Sequence, residues 1–181
     1  MKDTLDYLYA LRNRGSDFGL DRMIAFASLL GNPQLSFPVI HVAGTNGKGS
    51  VCSMLDAVYR ANGYSVGLFS SPHLIDLGER IRVNGVNLSM IEIAAFVEEL
   101  RPVAEKMESE QSGFHPTFFE FMTAMAFLTF QRAKVDLAIF ETGLGGRLDS
   151  TNIVNPELSI ITTIAKDHCS ILGNEIERIA E

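Results

Sequence analysis

A short apolar run that breaks directly into glycines around a lysine limits what this chain can become. Val39-Ile40-His41-Val42 reads as a buried strand, Gly44, Gly47 and Gly49 surround Lys48, and a helical segment opens near Ser50. Strand, glycine loop, lysine and helix is a physical recipe for holding phosphates. Glycines let backbone N–H groups turn inward and approach closely, and the helix N-terminus adds a positive dipole. Lys48 supplies a full charge beside them. The Walker A pattern needs four residues between its first Gly and the Gly-Lys pair. Here two separate Gly44 from Gly47, and Gly49 stands between Lys48 and Ser50. The stretch is a variant phosphate loop whose spacing argues against a kinase or a GTPase. Taken alone, it also fits a glycine-rich turn with an exposed lysine.

The surrounding pattern predicts alternating helices and strands. Residues 4–14 and 22–30 read as helices, the first with Leu5, Leu8 and Leu11 on one face. A helix over 50–61 is expected to turn Val51, Met54, Leu55 and Val58 inward and to close at Asn62-Gly63. Residues 65–69 form a second strand. The 79–88 stretch reads as a two-stranded ribbon around Asn84-Gly85, with Arg80 and Arg82 on one face. Ser89 with Glu92, and Thr117 with Glu120, are capping boxes that open helices over 89–109 and 117–132. Pro102 is expected to kink or break the first of these. Residues 135–140 and 158–164 are the third and fourth apolar strands, and a further helix begins near 174.

Strands alternating with helices imply right-handed crossovers and a parallel sheet, with ligands beyond the carboxyl ends of the strands. The apolar strands discharge there into Gly44–Ser50, Ser70-Ser71, Glu141 and Asp167-His168. Each group has an ordinary reading: a turn, a strand-end charge, a capping histidine. On one rim they suit a nucleotide with a divalent cation. The expected fold class is α/β, a parallel sheet flanked by helices of the phosphate-loop nucleotide-binding type with a small β-hairpin insertion. A net charge of −7 argues against a general nucleic-acid or anionic-membrane surface. Two cysteines make no disulfide framework, and the acidic N-terminus is no signal peptide. A cytoplasmic monomer is the expectation.

At this point the motifs HVAGTNGKGSV (41–51), SSPHL (70–74), ERIRVNG (79–85), ETGLGGRLDSTN (141–152) and ITTIAKDH (161–168) strongly resemble the folylpolyglutamate synthase and dihydrofolate synthase family, within the Mur-ligase superfamily. The match covers nearly the whole chain, including FGLDRM and GNPQ before the loop. The resemblance implies an ATP-dependent ligase. ATP phosphorylates the carboxylate of dihydropteroate or a reduced folate, and L-glutamate then attacks the acyl phosphate. It assigns Gly44, Thr45, Asn46, Gly47, Lys48, Gly49 and Ser50 to ATP, Ser71, Glu141 and His168 to Mg2+, and catalysis to Lys48, Glu141 and His168. An imidazole beside oxygen donors predicts that Mn2+ can substitute. The acceptor is expected at Phe18, Gly19, Leu20, Asp21, Pro72, His73, Arg80, Phe118, Phe119, Arg147, Leu148, Asp149 and Ser150. Nucleic acid and membrane are not expected as partners. A non-catalytic nucleotide- or pterin-binding module, or a Mur-type ligase for another carboxylate, is the alternative.

Two departures from the family pattern stand out. Lys166 replaces an apolar or small residue before Asp167-His168. The chain also stops at Glu181, where the family continues. The expectation is therefore that residues 1–181 are the N-terminal part of the ATPase domain, incomplete, with the glutamate-binding C-terminal domain absent and turnover by this piece alone not expected.

Overall fold

The computed structural model describes residues 2–14 and 19–180. Its centre is a six-stranded sheet in the order β4-β3-β2-β5-β1-β6. The strands are β1 (Val39–Ala43), β2 (Val66–Phe69), β3 (Ile81–Val83), β4 (Val86–Asn87), β5 (Leu137–Glu141) and β6 (Leu158–Ile161). β1 runs parallel to both β5 and β6, and β2 parallel to β5. Val42 lies opposite Glu141 on one side and Ile160 on the other, so the loop after β1 and the carboxylate ending β5 leave the sheet side by side. The β3–β4 hairpin continues the same sheet antiparallel from β2, so it extends the sheet edge. Asn84 and Gly85 both hold positive φ, as the tight turn requires.

Alternation along the strands feeds two apolar layers. Ile40, Val42, Val66, Leu68, Leu137 and Ile139 face α3 (Lys48–Ala61) and its buried Cys52. Val39, Phe69, Ala138 and Phe140 face the larger core under α2 (Asp21–Leu29), α4 (Met90–Glu110) and α5 (Phe118–Ala133), and α1 (Lys2–Ala10) joins that layer through Leu8. Phe140 is ringed by Phe37, Phe69, Phe127 and Phe130, with centroids 5.0–6.4 Å away. Offset and edge-on aromatic contacts at such distances contribute about 0.5–1.5 kcal/mol per pair beyond the area they bury. Both capping boxes form. Ser89 and Thr117 each accept the N–H of the glutamate three residues on, and that glutamate reaches back to the cap.

Several local expectations need correction. Met54 and Val58 are exposed; α3 instead meets the sheet through Cys52, with Val51, Leu55 and Tyr59 half-covered. Apolar spacing was right for Val51 and Leu55 and wrong for Met54 and Val58, because the buried centre of the face is the small Cys52. Pro102 lies inside an unbroken α4, which buried Leu100, Ala104 and Met107 hold against the core on either side of it. Glu79 and Arg80 belong to a 3-10 turn, Leu77–Arg80, before the ribbon, and this turns Arg80 inward while Arg82 stays half-buried. β6 ends at Ile161, where Thr162 and Thr163 turn to brace the loop after β1. Gly15, the expected stop of the first helix, and Phe18 lie outside the described residues. Among the described residues, no helix is long and apolar enough to cross a membrane.

Candidate active site

The loop after β1 is held from outside by the segment that follows β6. Gly44 has φ +133°, and a Cβ there would lie 2.1 Å from Thr162 Oγ1. The Thr45 N–H donates to the Thr163 carbonyl at 2.6 Å, and the Thr45 hydroxyl meets the backbone of Ala165. The hydroxyls of Thr162 and Thr163 donate to the Asn46 carbonyl at 2.7 and 3.2 Å. These ties brace the loop from the neighbouring strand end. α3 then starts at Lys48 with Gly47 as its cap at φ +83°, and no side chain caps it. The first-turn N–H groups, Gly49 and Ser50 among them, are thus left without a side-chain partner, which is the arrangement that receives a phosphate oxygen. Lys48 Nζ folds back on the loop, donating to the carbonyls of Gly44 at 2.7 Å and Thr45 at 3.4 Å.

Glu141 closes β5 against this loop. Its carboxylate lies where a Cβ on Gly49 would come within 3.5 Å, in ordinary contact. The side chain is buried and accepts the Ser71 N–H at 3.1 Å. Burial pushes its carboxyl above the usual glutamate range; the Ser71 N–H, Lys48 and Arg80 offset part of that. Cys52 beneath it is a neutral thiol, pushed up to about 12 by burial and then by the Glu141 charge. Thr142 Oγ1 next to Glu141 is buried without a hydrogen-bond partner.

Beside the loop a cavity of about 570 Å³ opens, and Lys48, Ser71, Pro72, Phe118, Phe119 and His168 all line it. α5 presents the two phenylalanines as one wall. The cap glutamate Glu120 is fixed by the backbone and hydroxyl of Thr117 and by a buried pair with Arg22 on α2, Nε to Oε2 at 2.7 Å. Phe119 leans on Phe69, centroids 5.7 Å apart, and covers Gly143, where a Cβ would lie 2.6 Å from its ring. Arg80 Nε donates to His73 Nδ1 at 2.8 Å, which puts the His73 proton on Nε2. Burial lowers both groups' pKa values; the Arg12 charge lowers them further.

The glycine-rich loop after β5 is organised by Asp149. Its carboxylate accepts the N–H groups of Gly143, Leu144 and Thr151 and the Thr151 hydroxyl. Because that hydroxyl donates to Asp149, His41 Nε2 donates to Thr151 in turn, at 2.7 Å. The link ties β1 to the glycine loop behind the site. Burial holds His41 below its ordinary pKa, with Asp149 opposing.

The structure brings most of the expected acceptor residues together and leaves some apart. Gly19, Pro72, Arg80, Phe118, Phe119, Leu148, Asp149 and Ser150 line the larger cavity. His73 reaches it only through Arg80, and Asp149 has its oxygens engaged by its own loop. Arg147 lines a second cavity of about 330 Å³ on the other side of Lys48 and His168. Leu20 caps α2, Asp21 is exposed in its first turn, and neither lines a cavity; Phe18 lies outside the described residues. His168 stands at left-handed φ with its ring half-exposed, at the junction of both cavities. Among the described residues no three His, Cys, Asp or Glu side chains cluster as a ready metal site. Arg12, which also lines the larger cavity, escaped the sequence reading; a single arginine in an amphipathic helix carries no signal. Thr162 and Thr163 escaped as loop anchors because the expected fourth strand ran through them to 164, whereas β6 ends at Ile161.

Residues 42–181 match the family model described as Mur ligase middle domain. The chain is 46% identical over 180 residues to a Bacillus subtilis protein described as dihydrofolate synthase/folylpolyglutamate synthase, covering 99% of this chain and 42% of that one. The folylpolyglutamate synthase structure from Thermotoga maritima superposes with a TM-score of 0.87 at 41% identity, over 98% of this chain and 39% of that one. Escherichia coli FolC, solved with DHPP and ADP, gives 0.84 at 40% identity, over 97% and 42%. This chain thus spans about 40% of the length of the relatives it matches.

Proposed function

The chain belongs to the Mur ligase middle-domain family, and on that premise we propose that it is the ATP-handling part of a ligase joining L-glutamate to dihydropteroate or a reduced folate. The observation that carries the reading is the single rim where the uncapped start of α3, the buried Glu141 carboxylate, Ser71 and His168 meet an aromatic-walled cavity. The Escherichia coli relative solved with DHPP and ADP supports both halves of it. In the proposal residues 1–181 are the N-terminal part of the ATPase domain, and glutamate binds in the additional length the relatives carry. The setting we assign is the cytoplasm, in line with two free cysteines.

The chemistry follows from the rim. The backbone from Gly44 to Ser50 cradles the triphosphate, and Lys48 must leave the Gly44 and Thr45 carbonyls to reach it. Phe118 and Phe119 hold a flat ring, so the acceptor carboxylate points toward the loop. A carboxylate oxygen attacks the terminal phosphorus, the bond to the bridging oxygen breaks, and ADP leaves with that electron pair. The glutamate amine then attacks the acyl carbon, phosphate departs, and the amine loses a proton. Ser71 and Glu141, joined by a backbone hydrogen bond, are oxygen donors of the kind that a hard cation takes, while the His168 imidazole leans toward Mn2+. Glu141 is a carboxylate whose burial raises its pKa, and a divalent charge would offset that cost. Ser71, Glu141 and His168 would hold Mg2+, with Mn2+ able to substitute, and the ion supplies charge neutralisation at the transferring phosphoryl group.

Calorimetric titration of the chain with magnesium AMPPCP and, separately, with dihydropteroate tests the reading. Each is expected to bind once. Failure of the nucleotide to bind, in a protein whose melt shows it folded, would remove it.

A further inference from the structure

The larger cavity holds more positive charge than one reacting carboxylate needs. Arg12, in the 3-10 turn Leu11–Arg14 that extends α1, places Cζ 4.9 Å from the Phe118 ring centre. Arg80 comes to 5.5 Å from the same ring. Two guanidiniums thus converge on one phenylalanine in a chain whose net charge is −7. Like charges this close repel, and each lowers the cost of bringing in an anion. Arg80 uses Nε on His73, and its two terminal nitrogens have no carboxylate partner among the described residues. Arg12 stacks on Tyr9 and Phe118 and makes no ion pair among the described residues. Of the carboxylates that line the cavity, Glu120 is engaged by Arg22 and Thr117 and Asp149 by its own loop, while Glu141, which attracts Arg80, accepts the Ser71 N–H. The reacting carboxylate belongs at Lys48, so the Arg12 charge is left for something else.

We propose that Arg12, together with Arg80, clamps a second carboxylate on the acceptor, one not destined for activation. The cavity then favours acceptors with a glutamyl tail, such as reduced folates, over the monocarboxylic dihydropteroate. This rests on the acceptor reading above and adds the residue that discriminates between its two substrates. Phe118 supplies the flat surface beneath, and the planar forks suit bidentate carboxylate contacts.

The test titrates tetrahydrofolate and dihydropteroate into the full 181-residue chain saturated with AMPPCP. Arg12→Ala is expected to weaken tetrahydrofolate about tenfold, the size of one charge-assisted hydrogen bond, and dihydropteroate less than about threefold. Arg12→Lys should recover part of the loss, since charge returns without the fork. Wild-type affinity for tetrahydrofolate should also fall more steeply with KCl than that for dihydropteroate, a readout that needs no variant. Equal losses on both probes, no loss, or equal salt slopes would overturn the clamp while leaving the acceptor cavity intact. If neither probe binds while AMPPCP does, the acceptor reading fails and the clamp with it.

Discussion

In the proposed site, the phosphate side and the acceptor side of the rim are built in opposite ways. The phosphate side is backbone. Gly44 to Ser50 lie consecutively in the chain, and threonine hydroxyls and a β-bridge from Asn46 to Thr163 brace them. The acceptor side is side chains from separate elements: Arg12 beyond α1, Arg80 before β3, Phe118 on α5 and Ser150 after the glycine loop. A backbone site tolerates little change anywhere along it, whereas a side-chain site can be retuned one residue at a time. The contrast predicts where substitutions cost folding and where they cost only binding.

The largest effect should come from the support behind the acceptor wall. Arg22→Leu would leave Glu120 buried without its Nε contact, and such single-partner deletions cost about 3–5 kcal/mol. Urea denaturation should show that loss, and Arg22→Leu combined with Glu120→Gln should return much of it. If the single variant lost under about 1 kcal/mol, the wall would not depend on this pair. Next comes Gly44→Ala on the phosphate side. The added methyl meets Thr162 Oγ1 and the backbone must hold positive φ, so a stability loss of about 1–3 kcal/mol should accompany loss of AMPPCP binding. Retained nucleotide affinity would break the claim that the backbone side tolerates little change.

A smaller, pH-dependent effect separates the link behind the site. Burial keeps His41 neutral in the fold, so the unfolded chain binds its proton more readily. Its contribution is complete above the unfolded value near 6.5 and is lost as pH falls toward the lower folded value, by up to about 1.4 kcal/mol per unit. Denaturation at several pH values should therefore show a shallower acid decline in His41→Asn than in wild type; parallel declines would exclude this histidine as the source. The smallest effect belongs to the outer face of α3. Val58→Gln should stay within about 0.5 kcal/mol of wild type, because Val58 is exposed. A loss of 2 kcal/mol or more, about what burying a valine contributes, would mean that the apolar spacing pointed correctly after all.

That last comparison shows what the sequence could disclose. Features set by consecutive residues were legible: the loop, both capping boxes, the Asn84-Gly85 turn, and the four strands that end on one rim. Features set by which residue happens to face another were not. The facing of Met54 and Val58 depends on how α3 rests on its sheet, and Pro102 survives in α4 because the core holds both halves of the helix. Arg12 and Phe118 stand 106 positions apart, and only the fold brings them into contact. Asp149 was expected in the site on resemblance alone, and its work as organiser of its own loop was not legible, since its four hydrogen bonds need the loop's conformation.

The central claim is that one rim holds a triphosphate and an acceptor side by side. The most direct measurement titrates dihydropteroate into the chain already saturated with magnesium AMPPCP, alongside the Gly44→Ala variant, whose altered residue does not line the acceptor cavity. The account predicts one equivalent bound with the nucleotide still in place, and in the variant a lost nucleotide with the pteroate affinity kept. Displacement of AMPPCP by dihydropteroate would contradict it, because the two would then share a single place.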